Sequence, residues 1–322
     1  MNPHFRHAFI ALMLGSAVTL LSACSTLVIP VTAPAPSALA FESVADSSPV
    51  QLTVRDARSP QDRASIAGGV LVPDYRYGNE PLDPVAYLAD HIEKELAARG
   101  FSASRGAGGT ELAIRSFHFE NHRVSGFSPW VALTTVSADV ETPSGPRRIA
   151  SFVRRAKVPV WSMQEINEPC FSDALSIATK ELAAKLNAAV WNRRLSDADV
   201  DALVAKIDQL GETETTWLEV YQLGFSNNLR AVPKLVALTA HTNEYMRMAA
   251  ISGLGTLGAV DQLDLLRSVA HAGQMWGDRA IALKAIGDLG TPEAKAFLDA
   301  EWKRLGSDSE GRWSRAVVAL YQ

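Results

Sequence analysis

The sequence predicts an α+β N-terminal domain, a mixed or antiparallel sheet with two helices, followed by an all-α solenoid of helix pairs. Three observations carry this. Between residues 50 and 160, runs of alternating apolar and polar residues are interleaved with amphipathic helical stripes. Further on, "RMAAISGLGTLG" (247–258) returns 32 residues later as "RAIALKAIGDLG" (279–290), and a period of that size marks stacked helical units. Finally, the polar stretch "WNRRLSDADV" (191–200) separates the two patterns, which suggests two separable domains with Ser196 or Asp197 capping the first solenoid helix. The chain has 322 residues, 47% hydrophobic and 20% charged, the composition of folded protein with room for two domains. A net charge of −4 with pI near 6.0 gives no basis for nucleic-acid binding.

At the N-terminus, Arg6 with His4 and His7 precedes an apolar run from Ala8 to Leu21 that is short for a bilayer span. The run ends in Leu21-Ser22-Ala23-Cys24, which resembles the lipobox of bacterial lipoproteins. That resemblance implies a signal peptide over 1–23, cleavage before Cys24, acylation of Cys24 and attachment to the membrane by acyl chains rather than by a spanning helix. Ser25 stands where inner-membrane retention usually requires Asp, so the resemblance further implies the periplasmic face of the outer membrane of a Gram-negative bacterium. An ordinary secretory peptide cleaved after Ala23 is the alternative. Cys170 is the one other cysteine. It reads as a buried small hydrophobe rather than a reactive thiol. Residues 24–49, rich in Pro, Ala and Ser, read as a tether in which "TLVIPV" could add a short strand.

The α+β domain is expected over 50–195. Val50 to Arg55 alternates as a strand, and Asp83-Pro84 opens a helix with Val85, Leu88, Ile92 and Leu96 on one face and Gly100 past its end. Three strands follow, Glu111 to Glu120, Pro129 to Glu141 and Arg147 to Val160, with "TPSGP" joining the last two in an antiparallel meander. A second helix places Phe171, Leu175, Ala178, Leu182, Leu186 and Val190 on one stripe. The "VRDAR" strand end, the "YLADHIEKELAARGF" helix, the strand "TELAIRSFHFEN" and the closing strand and helix resemble YajG-like bacterial lipoproteins over Val28 to Trp191. The likeness implies an α+β fold and an envelope location.

From 196 to 322 about four helix pairs are expected, the first with Val200, Leu203, Val204, Ile207 and Leu210 as its apolar stripe. The paired helices ending in Leu-Gly resemble HEAT-like repeats. Gly258 and Gly290 fall where a left-handed cap precedes the next helix. Gly253 and Gly255, poor helix formers, are explained by close approach of neighbouring helices.

Chemistry is sparse. His118 and His122 lie in or beside one strand, where four positions span about 13 Å, too far for one ion. "RGAGGT" reads as a turn, and Asp56 with Arg58 as a pair at a strand end. No nucleophile elbow, HExxH or paired Cys and His pattern occurs, so neither an enzyme nor a cofactor is expected. The better lead is an aromatic before each repeat arginine: Tyr245 before Arg247, Trp276 before Arg279, Trp313 before Arg315. Tyr245, Trp276, Arg279 and Trp313 are candidate partner-binding residues on a curved solenoid face, or else rings packed between repeats with Arg247 and Arg279 bridging helices. Phe127 and Trp130 in "VSGFSPWV" are either a contact patch at a loop tip or a cover for the sheet end. The expected function is a lipid-anchored envelope scaffold that binds a protein through its solenoid. The rival is an auxiliary lipoprotein of lipid or glycolipid transport that holds an acyl ligand between the sheet and helices, and a third reading is a lyase or hydrolase.

Overall fold

A computed structural model describes residues 27–43, 49–142, 145–306 and 311–322; the signal peptide expected over 1–23 and Cys24 lie outside the described residues. The strands are β1 (Val28–Val31), β2 (Val50–Asp56), β3 (Ala67–Gly69), β4 (Asp74–Tyr77), β5 (Glu80–Pro81), β6 (Ala103–Arg105), β7 (Thr110–His122), β8 (Trp130–Thr142) and β9 (Gly145–Lys157). The main sheet runs β6-β2-β7-β8-β9, with β3 also paired to β7. Pairings of β2 and β3 are parallel, while β7, β8 and β9 form the antiparallel meander, Leu112 opposite Val140 and Val136 opposite Ser151. The sheet is therefore mixed, as its alternating runs require. The strand after "TPSGP" stops at Lys157 rather than Val160, because Val158 precedes Pro159, which removes a ladder donor.

Two long helices pack on this sheet. α2 (Pro84–Ala98) begins where expected: the Asp83 carboxylate accepts the Val85 and Ala86 N–H groups. α3 (Asp173–Val190) follows a 3-10 turn (Met163–Ile166) and a π-turn (Asn167–Ser172) that holds Phe171. A short α1 (Pro60–Ala64) adds a third helix to the expected two. The layer between sheet and helices is filled by Leu52, Ile92, Leu112, Phe117, Phe171 and Leu175, each at most 1% exposed. These side chains occupy the layer in which the transport alternative places an acyl ligand.

Residues 27–43 are not a free tether. β1 pairs in parallel with β4, the Ser37 N–H donates to buried Glu95 at 2.9 Å, and the Phe41 N–H donates to the Arg99 carbonyl at 3.0 Å. Composition alone suggested flexibility. The backbone groups of this Pro-rich strand instead find partners on α2, where Glu95 and Arg99 form a buried ion pair of 3.0 Å.

The second half forms four helix pairs: α4 (Asp197–Leu210) with α5 (Thr216–Gly224), α6 (Val232–Leu238) with α7 (Glu244–Thr256), α8 (Leu263–Ala272) with α9 (Trp276–Leu289), and α10 (Pro292–Arg304) with α11 (Gly311–Ala319). Ser196 caps α4 by accepting the Asp199 N–H at 3.1 Å. The second helices of the pairs stack on one another, and their glycines show why. A Cβ on Gly224 would stand 2.6 Å from the Gly253 Cα, and one on Gly255 would collide with the Ala285 backbone. Gly258 and Gly290 have φ of +64° and +65°, the left-handed cap that ends each motif.

The two halves expected as domains are packed against each other. α3 lies between the sheet and the stacked helices, and one continuous apolar core runs through both halves. At its centre four charges are buried together. Glu181 on α3 is paired with Lys284 on α9 and, at 2.8 Å, with Lys185. Asp288 pairs with Lys185 at 2.7 Å and with Lys284 at 2.9 Å. Ser151 of β9 and Thr256 of α7 donate to Glu181 at 2.5 and 3.1 Å, and the Tyr321 hydroxyl donates to Asp288 at 2.6 Å. Burial pulls both ammonium groups down, Lys185 to about 8, while those ammoniums hold Asp288 low against its own burial.

Two measurements check this packing. Gly255→Ala should cost about 1–3 kcal/mol in a urea titration by forcing α7 and α9 apart, whereas Gly126→Ala, with open space around it, should leave the midpoint unchanged. Lys284→Met should cost about 3–5 kcal/mol, since it strands a buried carboxylate. Adding Glu181→Gln, which leaves the Lys185–Asp288 pair balanced, should recover part of that loss.

Candidate binding groove

The three aromatics that precede the repeat arginines converge. Tyr245 lies in the first turn of α7, Trp276 opens α9 and Trp313 lies near the start of α11, so equivalent positions of stacked helices bring them to one end of the stack. The Trp276 and Trp313 rings stack with centroids 5.9 Å apart and planes inclined by 28°. They form one wall of a groove of about 650 Å³, whose other wall is His122, Val124, Val131 and Val158 from the adjacent end of the sheet. Trp276 and Tyr245 are half-buried, while Trp313 is 6% exposed. Trp313 therefore supports the wall from behind rather than standing out as an anchor.

Strand β9 contributes the charge. Arg154 lies over the Trp276 ring at 5.0 Å and donates to Glu244 at 3.1 Å. Arg155 points the opposite way, between the Trp217 ring at 4.1 Å and the Tyr245 ring at 4.4 Å, and donates to the Pro169 carbonyl. Such cation–π contacts hold guanidinium and ring together where water is excluded. The Tyr245 hydroxyl accepts the Ala156 N–H and donates to the Ala156 carbonyl, both at 3.0 Å, closing the outer edge of the sheet at this point.

The remaining candidates separate. Arg279 donates to the Gly273 carbonyl at 3.0 Å, serving the turn inside its own repeat, and does not line the groove. Arg247 instead bridges repeats through a buried 3.0 Å pair with Asp278. Phe127 is 98% exposed at its loop tip, but Trp130 is 2% exposed: as the first residue of β8, opposite Lys157, it covers the sheet end and cannot be a contact residue. His118 meets Asp62 at 3.1 Å while His122 faces the Trp313 ring, so the two rings are directed to different neighbours. Arg58 grips Asp56 through two hydrogen bonds and holds its carboxyl below the usual range. Burial pushes the Cys170 thiol up to about 12, the environment of an inert sulfur.

Sequence reasoning missed Arg154, Arg155 and Met275 in this region and the charges of the central cluster. Adjacent arginines in the apolar strand "SFVRRAKV" were a usable signal, because charge at buried positions demands partners. Lys284 and Asp288 lay hidden within the repeat motif itself.

Replacing Tyr245 by Phe keeps the ring beneath Arg155 and removes both bonds to Ala156. Amide exchange at Ala156 should then accelerate, with an unfolding loss of about 1–2 kcal/mol. Compared with known proteins, residues 200–287 match a family model described as HEAT repeats. HEAT repeats commonly mediate protein binding and suggest a protein-interaction scaffold. Among curated proteins, none matches the chain.

Proposed function

We propose that this protein is a lipid-anchored envelope adaptor that holds a polypeptide segment of a partner in the groove between Trp276 and the end of the sheet. The observation that carries the reading is how the HEAT-like stack is used. Its second helices turn one face toward α3 and β9 of the same chain, where Glu181, Lys185 and Arg147 bond to α7 or α9. A scaffold of this kind ordinarily offers that curved face to partners. With that surface engaged in cis, the aromatic groove at its edge becomes the place for recognition. An apolar floor, two ring faces and a few polar groups at the rim suit a peptide side chain or two.

The anchor reading rests on Leu21-Ser22-Ala23-Cys24, and Ser25 favours the periplasmic face of the outer membrane. The YajG-like pattern of residues 28–191 supports the same address. Among the described residues, no helix is long and apolar enough to cross a membrane. The role is binding rather than catalysis: the densest set of acid and base groups, around Glu181, is closed off from any substrate.

Deleting the repeats would strip the cover from α3, so point substitutions are the better test. In mildly crosslinked cells, the full-length protein should capture a discrete partner that is lost with Trp276→Ala and Met275→Asp but kept with Leu229→Ser, all four folded by circular dichroism. An anchor residue of this type typically contributes at least about 2 kcal/mol, a roughly 30-fold weakening. Equal capture by all four would remove the groove from the function.

A further inference from the structure

Three segments leave the same end of the main sheet, and each carries a large apolar side chain into solvent. After β3 the chain runs beside the end of β7, where the Val70 N–H donates to the Asn121 carbonyl and the Leu71 N–H to its side chain. Val72 there is 65% exposed. The loop from β7 to β8 presents Phe127, 98% exposed, and the chain beyond Lys157, which pairs with Trp130, presents Trp161, 85% exposed. The β7–β8 loop is a built turn. Arg123 donates to the Gly126 and Ser128 carbonyls, and the Ser128 hydroxyl accepts the Val124 and Ser125 N–H groups. A loop tied down so thoroughly holds Phe127 in water, where its ring gains nothing from burial. Exposed apolar clusters of this kind mark an interaction surface.

The start of the described chain lies at this same end. The Asp74 N–H donates to the Leu27 carbonyl at 2.8 Å, and Asp74 is two residues beyond Val72. Cys24 precedes Leu27 by three residues, a reach of at most about 11 Å. Acyl chains on Cys24 are thereby restricted to the neighbourhood of the three tips, and because β1 is docked on β4 the protein cannot drift away from them on a long linker.

We infer that this end of the sheet, through Val72, Phe127 and Trp161, inserts into the lipid surface to which Cys24 is anchored. The inference rests on the acylation of Cys24 proposed above. The tips are separate protrusions, which suits a deformable apolar medium, and Trp and Phe are side chains that partition at the membrane boundary. Arg123 and Lys157 at the bases of two of the segments suit anionic headgroups. The groove beside Val124 and Val158 then opens next to the bilayer, so its partner is a segment presented at the membrane surface.

The test uses the full chain purified from membranes, with intact mass reporting acylation independently. Phe127→Cys and Leu229→Cys are each labelled with a fluorophore. Cys170 is buried, and Leu229 is 62% exposed beside Asn228, which bonds Leu195 just past the far end of α3. In vesicles of phosphatidylethanolamine and phosphatidylglycerol that contain a nitroxide lipid, the label at 127 should be quenched several-fold more than that at 229, as for residues sunk about 5–10 Å into the interface. Equal quenching of an acylated chain overturns the docking and leaves the anchor standing; this includes the case in which 127 is protected in cells but not on pure lipid, which would assign the patch to a protein. If the mass shows no acylation, the anchor fails. Adding the same vesicles to the Cys24→Ser versions of the two labelled chains then decides whether the tips bind lipid unaided: stronger quenching at 127 sustains the docking, and equal quenching ends it.

Discussion

Four buried charges hold this molecule in one piece. Glu181 and Lys185 come from the helix that packs on the sheet, Lys284 and Asp288 from the third repeat, and each needs the others because an ion removed from water without a partner is far costlier than any contact it replaces. Opposite charges with added hydroxyl bonds from Ser151, Thr256 and Tyr321 accept one arrangement. The register of the solenoid on the sheet therefore has to satisfy charge balance as well as apolar packing, and the glycines that let α5, α7 and α9 approach closely set how Lys284 and Asp288 reach it.

That register determines what the repeats can bind. A free solenoid exposes a long curved surface. Here β9, which would otherwise be a bare edge strand, is covered by Tyr245 and α9, and α3 is sealed between two layers. The repeats stabilise the sheet as much as the sheet blocks the repeats. What is left open lies where helix starts meet the last residues of β9, and there Tyr245 and Trp276 are only half covered.

Much of this was legible in the sequence, for identifiable reasons. The 32-residue return of the Leu-Gly motif, the Asp83-Pro84 helix start and the alternation in β7 to β9 each express one local rule, and each element stands within a few residues of its expected place. The convergence of Tyr245, Trp276 and Trp313 was legible because equivalent positions of stacked repeats must align. What was not legible depends on partners distant in the chain. Residues 27–43 look like a linker until Glu95 and Gln222 supply bonds to Ser37. Trp130 and Phe127 share one short loop sequence, yet strand register buries the first and leaves the second in solvent. Lys284 and Asp288, spaced i and i+4 on an apolar helix, resemble a surface pair until α3 is brought against them.

The same logic connects the groove to the N-terminus. β1 is a short strand whose docking on β4 ties the first described residues to the end of the sheet from which Phe127 and Trp161 project, and the groove wall begins within that same end at His122 and Val124. A protein that needed only a tether could leave 27–43 loose and place its binding surface anywhere. With Cys24 anchored as proposed, docking this segment would remove freedom between the anchor and the proposed groove, and freedom removed before binding is not lost on binding. Under the proposed acylation, the ordered segment, the apolar tips and the aromatic groove are parts of a single arrangement that presents one face to the membrane and to whatever lies upon it.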